Sequence, residues 1–353
     1  PMLIKSLRAD MGVMITGSHN TYEYNGLKFF DSKGNKISKD LEYKIEKIIS
    51  NKSTYKKISH LDHNSGKALR LESAQGRYLE YLKSTLNKDN AIKKFKIVLD
   101  CGNGATYNVA PTLFWELGCN VVSINDRPDG KNINKKCGAV DVSELSKKIV
   151  ALKANIGFAF DGDGDRLIAV DEKCKQIDGD KIIALFAKYY LKKKQLNKKT
   201  IVTTVMSNLG LENYLKNELG IKLIRTKVGD VNVISKMQKN SYTLGGEQSG
   251  HIILGNYLKT GDGILAALKI IEIMSLSTIK ASGLFDLYKQ TPQIQINLPI
   301  KNKLNAFFEK KLAKIVKNNK KDNPDLRYLV RKSGTEPLIR MLVEGYNKNR
   351  VNR

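Results

Sequence analysis

Cysteine is scarce and scattered. Cys101, Cys119, Cys137 and Cys174 are the only four in 353 residues, with no CxxC pair and no histidine at zinc-ligand spacing. That excludes a disulfide or zinc framework and fits reduced thiols in a cytoplasmic protein. No uninterrupted apolar stretch approaches the ~20 residues a membrane helix needs, so no membrane partner is expected. Pro1–Asp10 shows no n-region, h-region and cleavage site in succession. Acidic residues are few beside basic ones, 35 against 61, leaving a formal charge of +26. Such a charge raises the question of nucleic-acid binding. Yet the basic residues are mostly Lys, spread along the chain and mixed with Asn and Ile, as in Lys192–Lys194 and Lys317–Lys321. No zinc-finger, RRM-type or clustered Arg/aromatic pattern accompanies them, so no specific nucleic-acid partner is expected. Diffuse positive potential would instead steer anionic small molecules toward a cleft.

What is present is a globular composition, 41% hydrophobic with 27 glycines. The length predicts two to four domains at roughly 100–200 residues each. Apolar runs at Gly12–Thr16, Phe95–Asp100, Asn120–Ile124, Ile156–Phe160, Leu167–Val170, Thr200–Val205 and Lys222–Arg225 read as short strands. Helical patterns lie between them at Leu69–Lys83, Val109–Leu117, Val142–Leu152, Asp180–Leu191 and Leu211–Glu218. This alternation predicts α/β units whose helices cover mainly parallel sheets. A smaller α+β unit is expected last, with strands near Pro292–Asn297, Arg327–Val330 and Leu338–Glu344 and a Lys-rich helix among them. The expected divisions are residues 1–62, 63–172, 173–289 and 290–353.

Four loops carry chemistry. Asp161-Gly162-Asp163-Gly164-Asp165-Arg166 follows a buried strand, and three carboxylates alternating with glycines can fold around one hard cation such as Mg²⁺. An EF-hand is excluded because Arg166 stands where the sharp turn needs Gly and the flanks read as strands. Thr16-Gly17-Ser18-His19-Asn20 places a serine at a strand end, suited to a nucleophile or a phosphate acceptor, and taken alone reads equally as a plain turn. Gly245-Gly246-Glu247-Gln248-Ser249-Gly250-His251 offers donors and acceptors to a polyhydroxylated ligand, or else a structural turn. Arg331-Lys332-Ser333-Gly334-Thr335-Glu336-Pro337, with Arg340 beyond, has the charges and hydroxyls of a phosphate clamp without P-loop order; a basic turn is its alternative. Cys101–Thr106 lacks the third Gly of a dinucleotide fingerprint and reads as a tight connection. His60 and His63 have no partner cluster and are assigned nothing.

Taken in order, these loops resemble the α-D-phosphohexomutase superfamily and, within it, the phosphoglucosamine mutases. Thr16–Asn20 resembles the family's serine loop, Asn25-Gly26-Leu27-Lys28 its N-G-x-K element, Asp161–Arg166 its metal loop, Gly246–His251 its sugar loop and Arg331–Arg340 its phosphate loop. The likeness also takes in Leu99–Tyr107, Asn125–Val140 and Lys227–Asp230, and Gln248 is the form typical of the phosphoglucosamine group. The resemblance implies three related α/β domains, the first incomplete, and a smaller α+β domain around a central cleft. It implies interconversion of glucosamine 6-phosphate and glucosamine 1-phosphate, feeding UDP-N-acetylglucosamine and peptidoglycan precursors, through phosphorylated Ser18 and a bisphosphate intermediate. Ser18, Asp161, Asp163 and Asp165 would hold one Mg²⁺. Lys28 would move a proton or stabilise charge, with His19 and Arg166 supporting the phosphate. Glu247, Ser249 and His251 would read the sugar, while Arg331, Ser333, Gly334, Thr335 and Arg340 would grip the other phosphate. The substrate is thus a hexosamine phosphate, and a homodimer is admitted. A phosphoglucomutase/phosphomannomutase, or a non-catalytic fragment that still binds sugar phosphates, is the alternative.

The chain departs from the family pattern at Gly17 and Thr21, where most relatives have Ala and Pro, and at Val231-Asn232, where Arg-Tyr is usual. The family also carries several dozen residues ahead of the position matched by Pro1, with a Gly-Thr-x-Gly-x-Arg segment, and a short helix beyond Arg353. On that basis residues 1–353 alone are expected to be inactive or nearly so, with 1–60 poorly ordered and prone to association.

Overall fold

A computed structural model describes residues 1–59, 66–87, 92–299, 306–332 and 338–352. His60, His63, Ser333, Gly334 and Thr335 lie outside the described residues. The first elements are α1 (Met2–Leu7), β1 (Met11–Ile15), β2 (Leu27–Asp31), α2 (Lys39–Ser50) and α3 (Lys52–Ser59). β1 and β2 pair antiparallel, so the N-G-L-K segment runs back beside the strand that leads to Ser18 and brings Lys28 opposite Met14. Met11, Val13 and Ile15 are exposed.

The second sheet has the order β4-β3-β5-β6-β7. Its elements are α4 (Ala74–Ser84), β3 (Lys96–Asp100), α5 (Val109–Glu116), β4 (Asn120–Ile124), α6 (Ser143–Leu152), β5 (Ile156–Phe160), β6 (Leu167–Asp171) and β7 (Gln176–Ile177). β7 carries this sheet past position 172. The third sheet, β11-β10-β8-β9, is built from α7 (Gly179–Lys192), β8 (Thr200–Thr204), α8 (Leu209–Asn213), β9 (Lys222–Thr226), α9 (Asp230–Asn240), β10 (Leu244–Gly246) and β11 (Ile252–Leu254), followed by α10 (Gly263–Ser275) and α11 (Ala281–Leu284). The last sheet, β12-β14-β13, comes from β12 (Gln293–Pro299), α12 (Ala306–Asp322), β13 (Leu326–Lys332) and β14 (Leu338–Gly345), with α13 (Lys348–Asn352) after it.

The sheets are mixed, not mainly parallel as the alternation predicts. β3 pairs parallel with β4 and β5, but β5, β6 and β7 form an antiparallel meander, and β11 returns antiparallel along β10. The cause is local: the six residues Asp161–Arg166 join β5 to β6, too few for a crossover helix, and an antiparallel return is all they permit. That turn is the acidic loop. One apolar core joins the second and third sheets, running from Leu82 and Ile97 through Phe158, Ile183 and Ile201 to Leu268 and Phe285. At its centre α10 is buried at all thirteen positions. Asp262 caps it, its Oδ1 accepting the Leu265 N–H at 2.8 Å.

Candidate active site

The acidic loop is a turn with its backbone held on three sides. Ala105 N–H donates to Gly162 O at 2.8 Å, Gly263 N–H at the start of α10 donates to Gly164 O at 2.9 Å, and Leu167 N–H donates to Gly250 O at 3.0 Å. The fit depends on glycine. A Cβ on Gly104 would lie 2.3 Å from Gly162 O, and one on Gly250 2.3 Å from Leu167 O. The Cys101–Thr106 connection, bland in the sequence, is therefore one wall of the acidic loop.

Each carboxylate uses one oxygen for the protein. Asp161 Oδ1 accepts the Arg166 N–H at 3.0 Å; Asp163 Oδ2 accepts from Lys28 Nζ at 2.6 Å and Thr16 Oγ1 at 3.1 Å; Asp165 Oδ2 accepts from Lys28 Nζ at 3.3 Å. The other oxygens, Asp161 Oδ2, Asp163 Oδ1 and Asp165 Oδ1, are buried without a hydrogen-bond partner among the described residues. One oxygen from each aspartate comes within 4.8 Å of the others. Burial first, then Asp165 and Asp163, push the Asp161 carboxyl well above its usual range. Asp165 is held far below its own, burial being outweighed by His251, Lys28 and Arg166. Three clustered aspartates, each with a hard oxygen not used in a hydrogen bond, fit Mg²⁺, whose charge would keep all three ionised. Burial opposes the Lys28 ammonium, but Asp165 and Asp163 outweigh it and raise its pKa.

Ser18 sits beside this cluster in the left-handed region, φ 56°. Three bonds hold it there: its N–H donates to Thr16 Oγ1 at 2.8 Å, and Asn134 Nδ2 donates to Ser18 O at 3.0 Å and Asn20 O at 2.8 Å. Gly17 suits the same loop, since a Cβ there would lie 2.4 Å from Tyr24 O. His19 has a buried, unpartnered Nδ1 among the described residues, and burial together with Arg166 lowers its pKa, so it is neutral at pH 7. Thr16 and Asn134 escaped assignment from sequence because neither belongs to a charged cluster; only their place in the resembling segments marks them.

Ser18, His19, Lys28, Asp165, Arg166, Glu247, Ser249, His251, Arg331 and Arg340 all line one cleft of about 720 Å³, a volume suited to a small molecule. Glu247 Oε1 accepts the Gly229 N–H at 3.1 Å, and Ser249 is exposed. Arg331 and Arg340 stand directly opposite each other on β13 and β14. Burial and then Arg340 lower the Arg331 pKa; like charges so placed repel unless an anion lies between them. His251 differs from expectation. It is buried, its Nε2 accepts the Gly261 N–H at 3.2 Å, and its Nδ1 faces Asp165 Oδ1 at 3.5 Å. The Gly261 bond leaves the ring proton on Nδ1, so the imidazole turns toward the acidic loop rather than presenting a free nitrogen to a sugar.

Comparison with known proteins agrees with this geometry. Family models for phosphoglucomutase/phosphomannomutase match in succession: alpha/beta/alpha domain I over residues 1–56, domain II over 76–176, domain III over 178–291 and the C-terminal domain over 295–353. The chain is 45% identical to a phosphoglucosamine mutase of Bartonella bacilliformis over 98% of its length and 76% of the relative's. It is also 45% identical to one of Thermodesulfovibrio yellowstonii, over 99% and 78%. Among solved structures, a phosphoglucomutase/phosphomannomutase family protein from Burkholderia thailandensis superposes with a TM-score of 0.80 at 25% identity, covering 98% of this chain and 74% of that one. With Ser18, Asp165, Glu247, Arg331 and Arg340 drawn to one cleft, the chain belongs to the phosphoglucomutase/phosphomannomutase family of α-D-phosphohexomutases.

Proposed function

We propose that the protein is a phosphoglucosamine mutase, converting glucosamine 6-phosphate to glucosamine 1-phosphate and back through phosphorylated Ser18. The observation that carries this reading is that Ser18, Lys28, Arg331 and Arg340 share one cleft with Asp165, a member of a cluster of three aspartates that each keep a buried oxygen without a hydrogen-bond partner among the described residues. Relatives at 45% identity bearing that name support the choice of sugar. Each of the four proposed domains supplies one loop.

Asp161, Asp163, Asp165 and an oxygen on Ser18 would hold Mg²⁺, which would supply Lewis-acid stabilisation of phosphoryl charge. Thr16 and Asn134 fix the Ser18 backbone and so aim its Oγ, which accepts and returns the phosphoryl group. Lys28 holds an ammonium beside Asp163 and Asp165, where it stabilises charge on the phosphoryl oxygens and gives or takes the proton of the sugar hydroxyl. Arg166 and neutral His19 add donors to the same phosphate. Glu247 and Ser249 hydrogen-bond the sugar hydroxyls, and His251 keeps Asp165 in place. Arg331, Arg340 and the Ser333–Thr335 segment grip the non-reacting phosphate. With Ser18, Arg331 and Arg340 all on one cleft, a bisphosphate that turns around would meet the same two sites in the opposite sense.

The test, in the complete protein, is intact mass for a phosphoryl group on Ser18, with turnover of glucosamine, glucose and mannose 6-phosphates with and without a chelator. Preference for the glucosamine substrate and loss of activity with chelator are expected. Equal specificity constants would favour a phosphoglucomutase/phosphomannomutase instead, and binding without turnover a non-catalytic chain.

A further inference from the structure

We infer that Lys36 is a positioning residue that sets the sugar-reading Glu247 through α9. Lys36 and Asp230 meet in the cleft as an ion pair between Nζ and Oδ2, their side chains 17% and 23% exposed. Lys36 belongs to the turn after β2, in the same part of the chain as the serine loop, whereas Asp230 opens α9 on the third sheet. The turn is rigid on its own account: Asp31 Oδ1 accepts from the N–H groups of Lys33 and Asn35 at 2.9 and 2.8 Å, and Lys36 is bridged to Phe30. A second bond ties the same turn to the same helix, Gln238 Nε2 donating to Asn35 Oδ1 at 3.1 Å. α9 is thus anchored at its first residue and again two turns on.

The start of α9 is where that anchoring reaches the sugar. Gly229, next to Asp230, has φ 117°, a conformation glycine alone adopts readily, and its N–H donates to Glu247 Oε1. Asn232 Nδ2 closes the same turn onto Val228 O at 2.9 Å. Moving Asp230 therefore moves the donor that orients Glu247. Burial would weaken the Asp230 carboxylate, and Lys36 outweighs it, so the pair holds together in the free protein. Lys36 acts here without touching the sugar, and this distinguishes it from Lys28, whose ammonium lies on the aspartates of the acidic loop.

The kinetic arm of the test rests on the mutase reading; its other arm does not. Lys36→Met, Asp230→Asn, the double variant and Lys36→Arg are compared with the unaltered protein on glucosamine 6-phosphate. In parallel, amide hydrogen exchange is followed over residues 227–232 without ligand. Each single loss should raise KM about tenfold with kcat within about threefold, and the double variant should be no worse than either single one, because one link is cut only once. Lys36→Arg should restore KM, and exchange at Gly229 should quicken in Lys36→Met but not in Lys36→Arg. Multiplying effects in the double variant would mean that the two residues contact substrate separately, and would overturn the inference. So would an unchanged KM in Lys36→Met, or unchanged exchange at Gly229. If Asp230→Asn fails to fold, the Met and Arg variants at Lys36 decide. If the unaltered protein turns over no hexosamine phosphate, the mutase reading fails and the exchange arm alone judges Lys36.

Discussion

Ser18 shows how a nucleophile is aimed by the backbone. A left-handed φ at a serine costs of order 1–3 kcal/mol and persists only where neighbours enforce it, here Thr16 Oγ1 on its N–H and Asn134 on its carbonyl. Ser18→Ala keeps those backbone bonds. It should abolish turnover, by at least about a thousandfold, while leaving affinity for glucosamine 6-phosphate by calorimetry within about threefold; residual mutase activity would remove Ser18 from the reaction. Single residues were legible in the sequence where several chemistry-bearing types crowd one short loop, as at Asp161–Arg166. They were not legible where one side chain works through a partner far along the chain. Thr16 meets Asp163 across 147 residues, and His251 meets Asp165 through two loops that pair only in the folded state.

The same contrast holds among elements. An amphipathic segment such as α6 was readable because a polar stripe alternates with an apolar one, Leu145 and Ile149 being its buried residues. α10 has no such stripe, being buried on every side, and its run Gly263–Ser275 gives no periodicity to read. β10 and β11 are three residues each, and β10 takes in Gly245 and Gly246, so they read only as loop. The Cys101–Thr106 connection was placed correctly between a strand and a helix, but its contact with the acidic loop could not be foreseen, since nothing local signals which backbone Gly104 approaches. Gly104→Ala touches no carboxylate, yet its methyl must displace either Gly162 or its own turn. It should cost about 1–3 kcal/mol of stability and weaken Mg²⁺ binding roughly tenfold or more, measured by denaturant unfolding and metal titration. Unaltered metal affinity would show that the acidic loop keeps its shape without this wall.

Across the whole molecule, charge and burial set how the protein answers to solution conditions. With a formal charge of +26 and an anionic substrate, kcat/KM should fall severalfold between about 0.02 and 0.5 M salt, as screening shortens the reach of the field; a flat response would mean that charge plays no part in capture. Asp180, buried at the start of α7, accepts the Asn208 N–H at 2.7 Å where the third sheet meets the last, and burial followed by Asp178 pushes its pKa up to about 7. A carboxyl whose folded pKa is raised favours the folded state while protonated. That contribution is full below about pH 4 and is lost as pH rises through about 7. Asp180→Asn, which keeps an oxygen for Asn208, should lose less stability than the unaltered protein between pH 4.5 and 8, read from urea midpoints; parallel pH curves would contradict the assignment. The cleft has a further consequence. Its walls come from the Ser18 loop after β1, an acidic loop on the second sheet, the Glu247–His251 loop on the third and two arginines on the last. Nearly all of its contacts are distant in sequence, so during synthesis no early portion of the chain can rehearse the site. Catalytic competence must arrive late and all at once, when β14 has emerged and paired, and the partly made protein passes through its exposed stages unable to bind the sugar phosphate that would stabilise it.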